Sequence, residues 1–594
     1  MLMLIELGFV VVALAIAFRW PTMGSDWFGG IENSFAKLAR RQRLSVVIVG
    51  LAALVGRAAA LPILPISQPQ AQDEFSYLLA ADTFMHGRLT NPTHPMWVHF
   101  ETFHVLMQPT YASKYPPLQG MVLAAGRIIG GKPFVGVWLS MAVMCAAICW
   151  MLQGWLPPEW ALLGGFLAVV RWGIFSYWEN NYWGGAVPAI GGALVLGALP
   201  RVMQLERPRE VLVMGLGLAI LANSRPYEGL VFSLPVAGAL LFWLARKRGA
   251  EFWKSVRGVV VPLALALFPT ALAMGYYNWR VTGHPLRMPY VVYEDAYVVT
   301  PNLFFEPRHP VPIYRHKVMH DYYANRYSWP RTLSGFLLPQ LDRFVGLDVF
   351  YFGVVLMFAV VMCLATLPYG FKWKDVDRQT RFLLLVLAVS ILGLSFEVPP
   401  NPHYAAALTC VILALVLMGM RRLRVWEWHG KQVGLFLVRT IPLICLLMVG
   451  IRAAALPLRI PTGPRWCWYN TLPGNLARAR ILAQLDGTPG EHLVIVRYEP
   501  KHDTDWEWVY NDADIDHSTV VWARDMGAAQ NKELIEYFRS RHGWTIDADE
   551  DTPQLRPYQE RPDPSEEDEL KRTRLGSFGA GAPTYEMGRV ARSR

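Results

Sequence analysis

Two adjacent carboxylates, Asp73 and Glu74, follow an apolar run long enough to cross a bilayer and precede a segment with helical periodicity. A carboxylate held at a membrane surface can act as a general base that takes the proton of a hydroxyl group. A second carboxylate beside it could orient the substrate or raise the pKa of the first. Acidic side chains at a helix N-terminus also cap its free N–H groups. The spacing alone leaves both interpretations open.

The segment after this pair predicts a helix lying along the membrane surface. Its apolar side chains, Phe75, Leu78, Leu79 and Phe84, recur at helical spacing. Such a helix would hold the two carboxylates of its first turn close to the lipid headgroups.

A cation and a phenol stand before a proline pair in Ser113-Lys114-Tyr115-Pro116-Pro117-Leu118. The prolines fix the backbone and stop any preceding helix. Lys114 could bind a phosphate, or it could anchor the chain at the headgroup level. Both interpretations place it at the membrane surface.

Two further polar segments flank apolar runs. Arg225 suits bidentate phosphate binding, although an i,i+3 ion pair with Glu228 explains it equally well. Glu179, Asn180 and Asn181 precede two aromatic residues, a composition that suits sugar hydroxyls and also suits an interfacial turn. These residues are therefore candidates for substrate binding.

The elements that must position these residues are membrane helices. Of the 594 residues 53% are hydrophobic and only 17% are charged, which indicates many spans rather than one soluble core. We predict about twelve spans of roughly 20 residues. They are Leu2–Phe18, Leu44–Ile66, Phe134–Leu152, Trp160–Tyr177, Ala186–Val202, Val211–Asn223, Leu230–Leu244, Val259–Tyr276, Val345–Leu367, Phe382–Phe396, Tyr404–Met420 and Val433–Leu456.

The net charge of +10 is concentrated in alternate loops between these runs. Short basic loops are typical of the cytoplasmic side, so the other loops, which carry every candidate above, face outward. This topology puts the N-terminus outside if the first run is a true span; a signal peptide is the alternative. Loop charge of this kind does not indicate nucleic-acid binding.

We therefore predict an all-α polytopic membrane protein with a small C-terminal soluble α/β domain. Residues 1–43 form a transmembrane helix and a cytoplasmic linker, and 44–457 form the membrane domain with external loops 67–132 and 278–344. Residues 458–556 form the α/β domain, with strands at His492–Tyr498 and Ser518–Arg524 and a helix at Asn531–His542. The Pro-rich, charged residues 557–594 predict a disordered tail.

The sequence offers little support for a bound metal or cofactor. His316 and His320 have i,i+4 spacing but no HExxH pattern, and no P-loop occurs. The run from Asp512 to Asp516 opens like a calcium loop, yet the required Gly and Glu positions hold other residues. We expect no cofactor and do not favour a divalent cation. The absence of glycosylation sequons in the external loops favours a bacterial plasma membrane.

The DEFSY run and the later KYPPL run together resemble the GT-C superfamily of membrane glycosyltransferases, in particular the protein O-mannosyltransferases and lipid A aminoarabinose transferases of family 39. The resemblance covers about Leu44 to Leu456. It implies that Asp73 is the catalytic base and Glu74 its neighbour. Tyr77 belongs to the same motif and joins the substrate-binding set.

The resemblance implies further roles. Lys114 and Tyr115 would line the substrate cavity. His403-Tyr404 stands where the family often has Arg-Tyr near the donor phosphate, and this departure puts a permanent phosphate clamp at His403 in doubt.

These features together predict a glycosyltransferase that moves a sugar from a polyprenyl-phosphate donor to an acceptor hydroxyl on the non-cytoplasmic face, by direct inverting transfer. The acceptor, which could be a glycan, a lipid or a protein, is not indicated, and membrane lipid is the surrounding partner. A multi-pass transporter or lipid flippase is the main alternative, and a non-catalytic scaffold that displays the C-terminal domain is the third.

Overall fold

The computed structural model describes residues 1–325, 332–399, 401–461, 467–469 and 473–559. The following helices make up most of this part of the chain: α1 (Leu2–Arg19), α2 (Ser25–Ala39), α3 (Gln42–Ala60), α4 (Gln72–Met85), α5 (Trp97–Phe100), α6 (Pro117–Gly130), α7 (Phe134–Leu152), α8 (Pro158–Trp172), α9 (Ala186–Leu205), α10 (Pro208–Ala222), α11 (Pro226–Ala245), α12 (Gly249–Thr282), α13 (Pro289–Tyr297), α14 (Lys317–Asn325), α15 (Leu333–Leu347), α16 (Gly353–Ala365), α17 (Arg378–Leu394), α18 (Thr409–Leu423), α19 (Val433–Ala455), α20 (Leu476–Asp486) and α21 (Ala528–Tyr537).

Short elements complete the fold. A π-helical turn at Asp348–Phe352 joins α15 to α16, and a 3-10 segment at Pro402–Leu408 leads into α18. The strands are β1 (Val105–Leu106), β2 (Ala112–Ser113), β3 (His492–Arg497), β4 (Val520–Arg524), β5 (His542–Asp547) and β6 (Arg556–Pro557).

All twelve predicted spans are helical, and the chain is an integral membrane protein. Within the described ranges, nine helical segments are long and apolar enough to cross a bilayer. The remaining three predictions correspond to α8, α10 and α17, which have 15, 15 and 17 residues. At 1.5 Å per residue these reach about 23–26 Å, short of a hydrocarbon core of about 30 Å.

The N-terminal region contains a second helix where we predicted a linker. The predicted cytoplasmic linker contains α2, whose Glu32 carboxylate accepts hydrogen bonds at 3.0 Å from both Arg424 and Arg439. Helix α1 packs against the bundle with one face, where Glu6 lies 3.5 Å from Arg171 of α8. These contacts tie the first helices to α8, to α19 and to the end of α18.

The prediction that α4 lies on the membrane surface is wrong. Phe75 and Leu79 are buried, and the Phe75 ring stacks on Tyr510 of the C-terminal domain with centroids 4.3 Å apart. The opposite face of α4 packs on α6, where a side chain at Gly120 would come within 2.6 Å of the Ala80 methyl group. Helix α4 is therefore held between protein surfaces, because the C-terminal domain covers the apolar side that we assigned to lipid.

The C-terminal domain is the predicted small α/β unit, with sheet order β4-β3-β5-β6. Strands β4 and β5 pair in parallel on either side of β3, and β6 pairs antiparallel with β5. The predicted helix at Asn531–His542 is displaced, because α21 ends at Tyr537 and His542 begins β5, a strand that the sequence analysis missed. Residues 560–594, which make up most of the predicted disordered tail, lie outside the described residues.

Candidate active site

The first turn of α4 presents its two carboxylates to different surroundings. Glu74 turns back and accepts hydrogen bonds from the N–H groups of Gln70 at 2.8 Å, Ala71 at 2.9 Å and Tyr182 at 3.2 Å. This is the capping arrangement that the sequence allowed. Burial raises the pKa of Glu74 to about 7, against these three bonds. Glu74 fixes the helix start, and Asp73 points away from the cap.

A β-hairpin brings two more ionisable groups to Asp73. His104 directly precedes β1 and Lys114 directly follows β2, and these strands pair antiparallel. The two residues therefore meet at one end of the hairpin, where the Lys114 N–H donates to the His104 carbonyl at 3.2 Å. His104 has a positive φ of 62°, an unusual conformation for a residue with a side chain. Its backbone N–H donates to the Tyr293 hydroxyl at 2.7 Å, which supports this conformation.

Asp73, His104 and Tyr115 form one hydrogen-bonded cluster. The Asp73 carboxylate lies 2.9 Å from His104 Nδ1 and accepts a hydrogen bond from the Tyr115 hydroxyl, which is 3.1 Å from the same ring nitrogen. Burial alone would raise the pKa of Asp73, but His104 and Tyr115 outweigh it and hold this pKa below its usual range. Asp73 is therefore ionised at neutral pH, and its side chain is 27% exposed to the cavity.

Tyr115 is positioned from two directions. The Tyr77 ring of α4 stacks on it with centroids 4.5 Å apart. Pro117 occupies the first turn of α6, where its missing N–H costs nothing, so the proline pair fixes the backbone next to Tyr115. The proline pair, which we predicted to stop a helix, therefore helps to orient the Tyr115 phenol toward Asp73.

Lys114 is enclosed by aromatic rings. Its ammonium lies 5.1 Å from the centroids of Tyr115 and Tyr290 and 4.9 Å from that of Tyr293. Cation–π contacts of this kind hold a charged group in place. The arrangement places a positive charge on the cavity wall next to the Asp73 cluster.

The wall of the same cavity holds a second cation. Arg225, at the start of α11, lies 3.4 Å from Glu228 and stacks over the Tyr404 ring at 4.5 Å. The i,i+3 ion pair is therefore present, and both partners also face the cavity. His403 Nδ1 lies 3.4 Å from the Tyr177 hydroxyl, and its ring packs near Trp183.

These groups line one cavity of about 370 Å³. Of the predicted site residues, the structure brings eight to its wall: Asp73, Tyr77, Lys114, Tyr115, Arg225, Glu228, His403 and Tyr404. They come from segments far apart in the chain, and each segment is one that the loop charges assigned to the same side of the membrane. The convergence agrees with that grouping.

Four predicted site residues do not reach the wall of this cavity. Glu74 caps α4, as described above. Glu179 is fully buried 3.9 Å from Arg57 of α3. Asn180 donates to the carbonyls of Ile174 and Ser176. The Asn181 side-chain oxygen accepts from the two N–H groups that follow it in the chain, those of residues 183 and 184. Glu179, Asn180 and Asn181 therefore stabilise the local structure of their own segment. None of the three lines the cavity, so their predicted role in substrate binding gains no support from the structure.

Sequence reasoning missed His104 and Tyr290. His104 reaches Asp73 only through the β1–β2 hairpin, whose two-residue strands carry no recognisable pattern. Tyr290 lies in α13, within the long external segment, and its ring contacts the Lys114 ammonium. An unusual density of tyrosines in residues 278–325 was the one available signal.

Within the part of the chain that the structure describes, no three His, Cys, Asp or Glu side chains come together as a metal site. His316 Nε2 lies 2.8 Å from the Val98 carbonyl, and His320 pairs with Asp321. The two histidines at i,i+4 spacing therefore have separate partners. The expectation of no cofactor stays a prediction.

The site offers an ionised carboxylate in a polar cluster, two cations that line the same cavity and several aromatic rings. This combination suits removal of a proton beside a group that develops negative charge. Tyrosine and tryptophan rings with nearby amides also suit a sugar ring.

Comparison with known proteins adds structural neighbours. No family model and no curated protein sequence matches the chain. The structure is similar to ArnT from Cupriavidus metallidurans bound to undecaprenyl phosphate, with 12% identity, a TM-score of 0.46, and 84% of this chain and 92% of that chain covered. It is also similar to the Archaeoglobus fulgidus oligosaccharyltransferase in the apo form, with 11% identity, a TM-score of 0.44, and 85% and 69% of the two chains covered.

With identities of 11–12% and TM-scores of 0.44–0.46, the chemistry of this chain has to be argued from its own residues.

Proposed function

We propose that the protein is a membrane glycosyltransferase that moves a sugar from a polyprenyl-phosphate donor to an acceptor hydroxyl. The observation that carries the proposal is the convergence of Asp73, Lys114 and Arg225 on one cavity, which is lined by external segments and by the ends of membrane helices. A carboxylate and two cations are the groups that proton removal and phosphate departure need. The family resemblance of the DEFSY and KYPPL runs supports the same reaction.

The proposed reaction is a single displacement. The acceptor oxygen attacks the anomeric carbon, and the bond from that carbon to the phosphate oxygen breaks. The acceptor proton goes to Asp73, and the electron pair of the broken bond stays on the polyprenyl phosphate. Because Asp73 is a weak base, proton transfer comes late, when the attacking hydroxyl has become acidic. Displacement from the opposite face inverts the anomeric centre.

The two cations are proposed to bind the leaving phosphate. Arg225 presents a planar guanidinium that is oriented by Glu228 and Tyr404. Lys114 is fixed by its tyrosine rings and adds a second positive charge. His403 contributes a ring nitrogen, 3.4 Å from the Tyr177 hydroxyl, to the same cavity wall.

We further propose that the cavity opens on the non-cytoplasmic face of a bacterial plasma membrane. The support is the charge of the loops: basic residues concentrate in the set opposite to the segments that build the cavity. A lipid-linked donor on that face removes the need for a nucleotide-sugar site, and the sequence has no P-loop.

The test uses the purified protein in detergent with a panel of radiolabelled polyprenyl-phosphate sugars and membrane extract as the source of acceptor. The wild type should release free polyprenyl phosphate, and Asp73→Asn should not, although it still binds donor. Asp295→Asn is the matched control, because this exposed carboxylate of the neighbouring α13 pairs with Arg287 away from the cavity. Release that persists in Asp73→Asn would remove Asp73 as the base.

A transporter or flippase is distinguished by a second arm of the same experiment. Protein reconstituted in liposomes is supplied with a labelled polyprenyl-phosphate sugar, and movement of the intact lipid between leaflets is measured. Lipid movement without any cleavage of the sugar–phosphate bond would replace the transferase proposal by transport.

A further inference from the structure

A second and larger cavity lies outside the membrane helices. Its volume is about 1030 Å³, and one wall is the C-terminal domain while the other is α14 of the long external segment. This volume is at the upper end of the range for small-molecule sites. Nothing in the proposed transfer chemistry uses it.

The cleft lies at the carboxyl ends of the parallel strands, which is where open α/β folds bind their ligands. Strand β3 is central, and the chain passes from it to β4 on one side and then to β5 on the other. The loops that leave the carboxyl ends of these parallel strands therefore diverge and leave a crevice between them. Tyr498, just after β3, and Asp525, just after β4, both line the cleft.

The chemistry of the wall indicates an uncharged ligand. Basic and acidic side chains occur in nearly equal number, and several are paired, such as Arg497 with Asp525 at 2.6 Å and Lys317 with Asp321 at 2.9 Å. The local charge is therefore close to balanced, which is unsuited to a free phosphate, a polyanion or an organic cation.

The same wall is rich in hydrogen-bonding groups and in tyrosine rings. Carboxylates accept and guanidinium groups donate in fixed directions, as the vicinal hydroxyls of a sugar require. The partly exposed rings of Tyr498 and Tyr558 line the cleft and can contact the C–H side of a sugar ring. Few aliphatic side chains line the cleft, and a peptide bound through apolar anchors would need them.

The cleft also adjoins the catalytic cavity. Tyr322 of α14 lines both cavities. A chain-like ligand seated in the cleft would have to pass Tyr322 to reach the catalytic cavity.

We propose that this cleft binds the saccharide part of the acceptor, so that the acceptor of the transferase is itself a glycan. The inference rests on the proposed function for its role as an acceptor site. It assigns the C-terminal domain the task of holding the growing glycan while its terminal hydroxyl enters the catalytic cavity.

The test is photo-crosslinking of the full-length protein in the cells that express it. A benzophenone side chain is introduced as Gln530→p-benzoylphenylalanine, because Gln530 is exposed and lines the cleft. Lys532→p-benzoylphenylalanine is the matched control: Lys532 is exposed on the same helix, two residues further and therefore on the other face. Met288→p-benzoylphenylalanine reports on the catalytic cavity, which Met288 lines.

After irradiation, adducts are purified and analysed for carbohydrate and for lipid phosphate. We expect a glycan adduct at position 530, its loss at position 532, and a polyprenyl-phosphate adduct at position 288. A polypeptide adduct without glycan at 530, or no adduct there while 288 captures lipid, would overturn the cleft proposal and leave the transferase standing. Glycan at 530 without lipid at 288 would keep a saccharide site and overturn its role as acceptor site.

Discussion

The contact between the C-terminal domain and the helix that carries Asp73 gives a prediction that needs no substrate. Tyr510 is buried, and its ring stacks on Phe75 at 4.3 Å with an interplanar angle of 4°. Arg478 lies over the same Phe75 ring at 4.8 Å. Removal of a buried aromatic side chain costs about 3–5 kcal/mol. If the loss falls on the docking of α4, Tyr510→Ala lowers the free energy of local opening by at least about 3 kcal/mol.

A change of about 3 kcal/mol corresponds to a roughly hundredfold faster amide exchange in α4. The assay is hydrogen–deuterium exchange with mass spectrometry on the intact protein in detergent, followed in peptides from α4 and from β3. Tyr510→Phe is the control, because it keeps the ring and removes the hydroxyl alone, whose hydrogen bond to the Phe103 carbonyl is long at 3.4 Å and worth below about 1 kcal/mol.

Two results would refute this reasoning. Unchanged exchange in α4 of Tyr510→Ala would mean that the stack does not hold the helix. Equal loss of protection in α4 and β3 would mean that Tyr510 stabilises the domain as a whole and not its docking.

Three further predictions concern the cavity and its cap. His104→Ala should shift the acidic limb of the pH–rate profile to higher pH, because His104 helps to depress the pKa of Asp73; an unmoved limb would contradict the pairing. Arg225→Lys should raise the KM for the donor by about tenfold or more, since bidentate phosphate contact is lost, while an unchanged KM would place the phosphate elsewhere. Burial raises the pKa of Glu74 from 4.5 to about 7 in the folded state. Between pH 4.5 and about 7 the folded state therefore binds more protons than the unfolded state. The free energy of unfolding then falls by up to about 3 kcal/mol as the pH rises through this interval. The Tm of the wild type should therefore fall across this interval relative to Glu74→Gln, and parallel Tm curves would contradict the burial of an ionisable Glu74.

The membrane helices were predictable because a bilayer sets the length and polarity of a span. All twelve apolar runs became helices, and the segments that build the cavity belong to the loops that alternate with the basic ones. Asp73, Lys114 and Arg225 could be singled out because charged side chains are few in such a chain.

What could not be predicted depends on contacts between distant segments. Helix α4 was assigned to the membrane surface because its partner, Tyr510, lies more than 400 residues further along the chain. His104 reaches Asp73 through a hairpin too short to leave a pattern, and through a positive φ that the sequence does not signal. Glu179 looked like a ligand for sugar because nothing in the sequence shows that Arg57 faces it inside the bundle.

A double-label experiment tests most directly whether the protein transfers a sugar from its lipid donor to an acceptor with Asp73 as the base. The donor carries one isotope in the sugar and another in the polyprenyl phosphate, and both products are followed with wild type, Asp73→Asn and Asp295→Asn. We expect equal amounts of freed polyprenyl phosphate and of sugar on a non-lipid or second lipid acceptor, lost in Asp73→Asn and kept in Asp295→Asn. Sugar that stays on its original lipid, or that is released to water in place of an acceptor, would contradict this expectation.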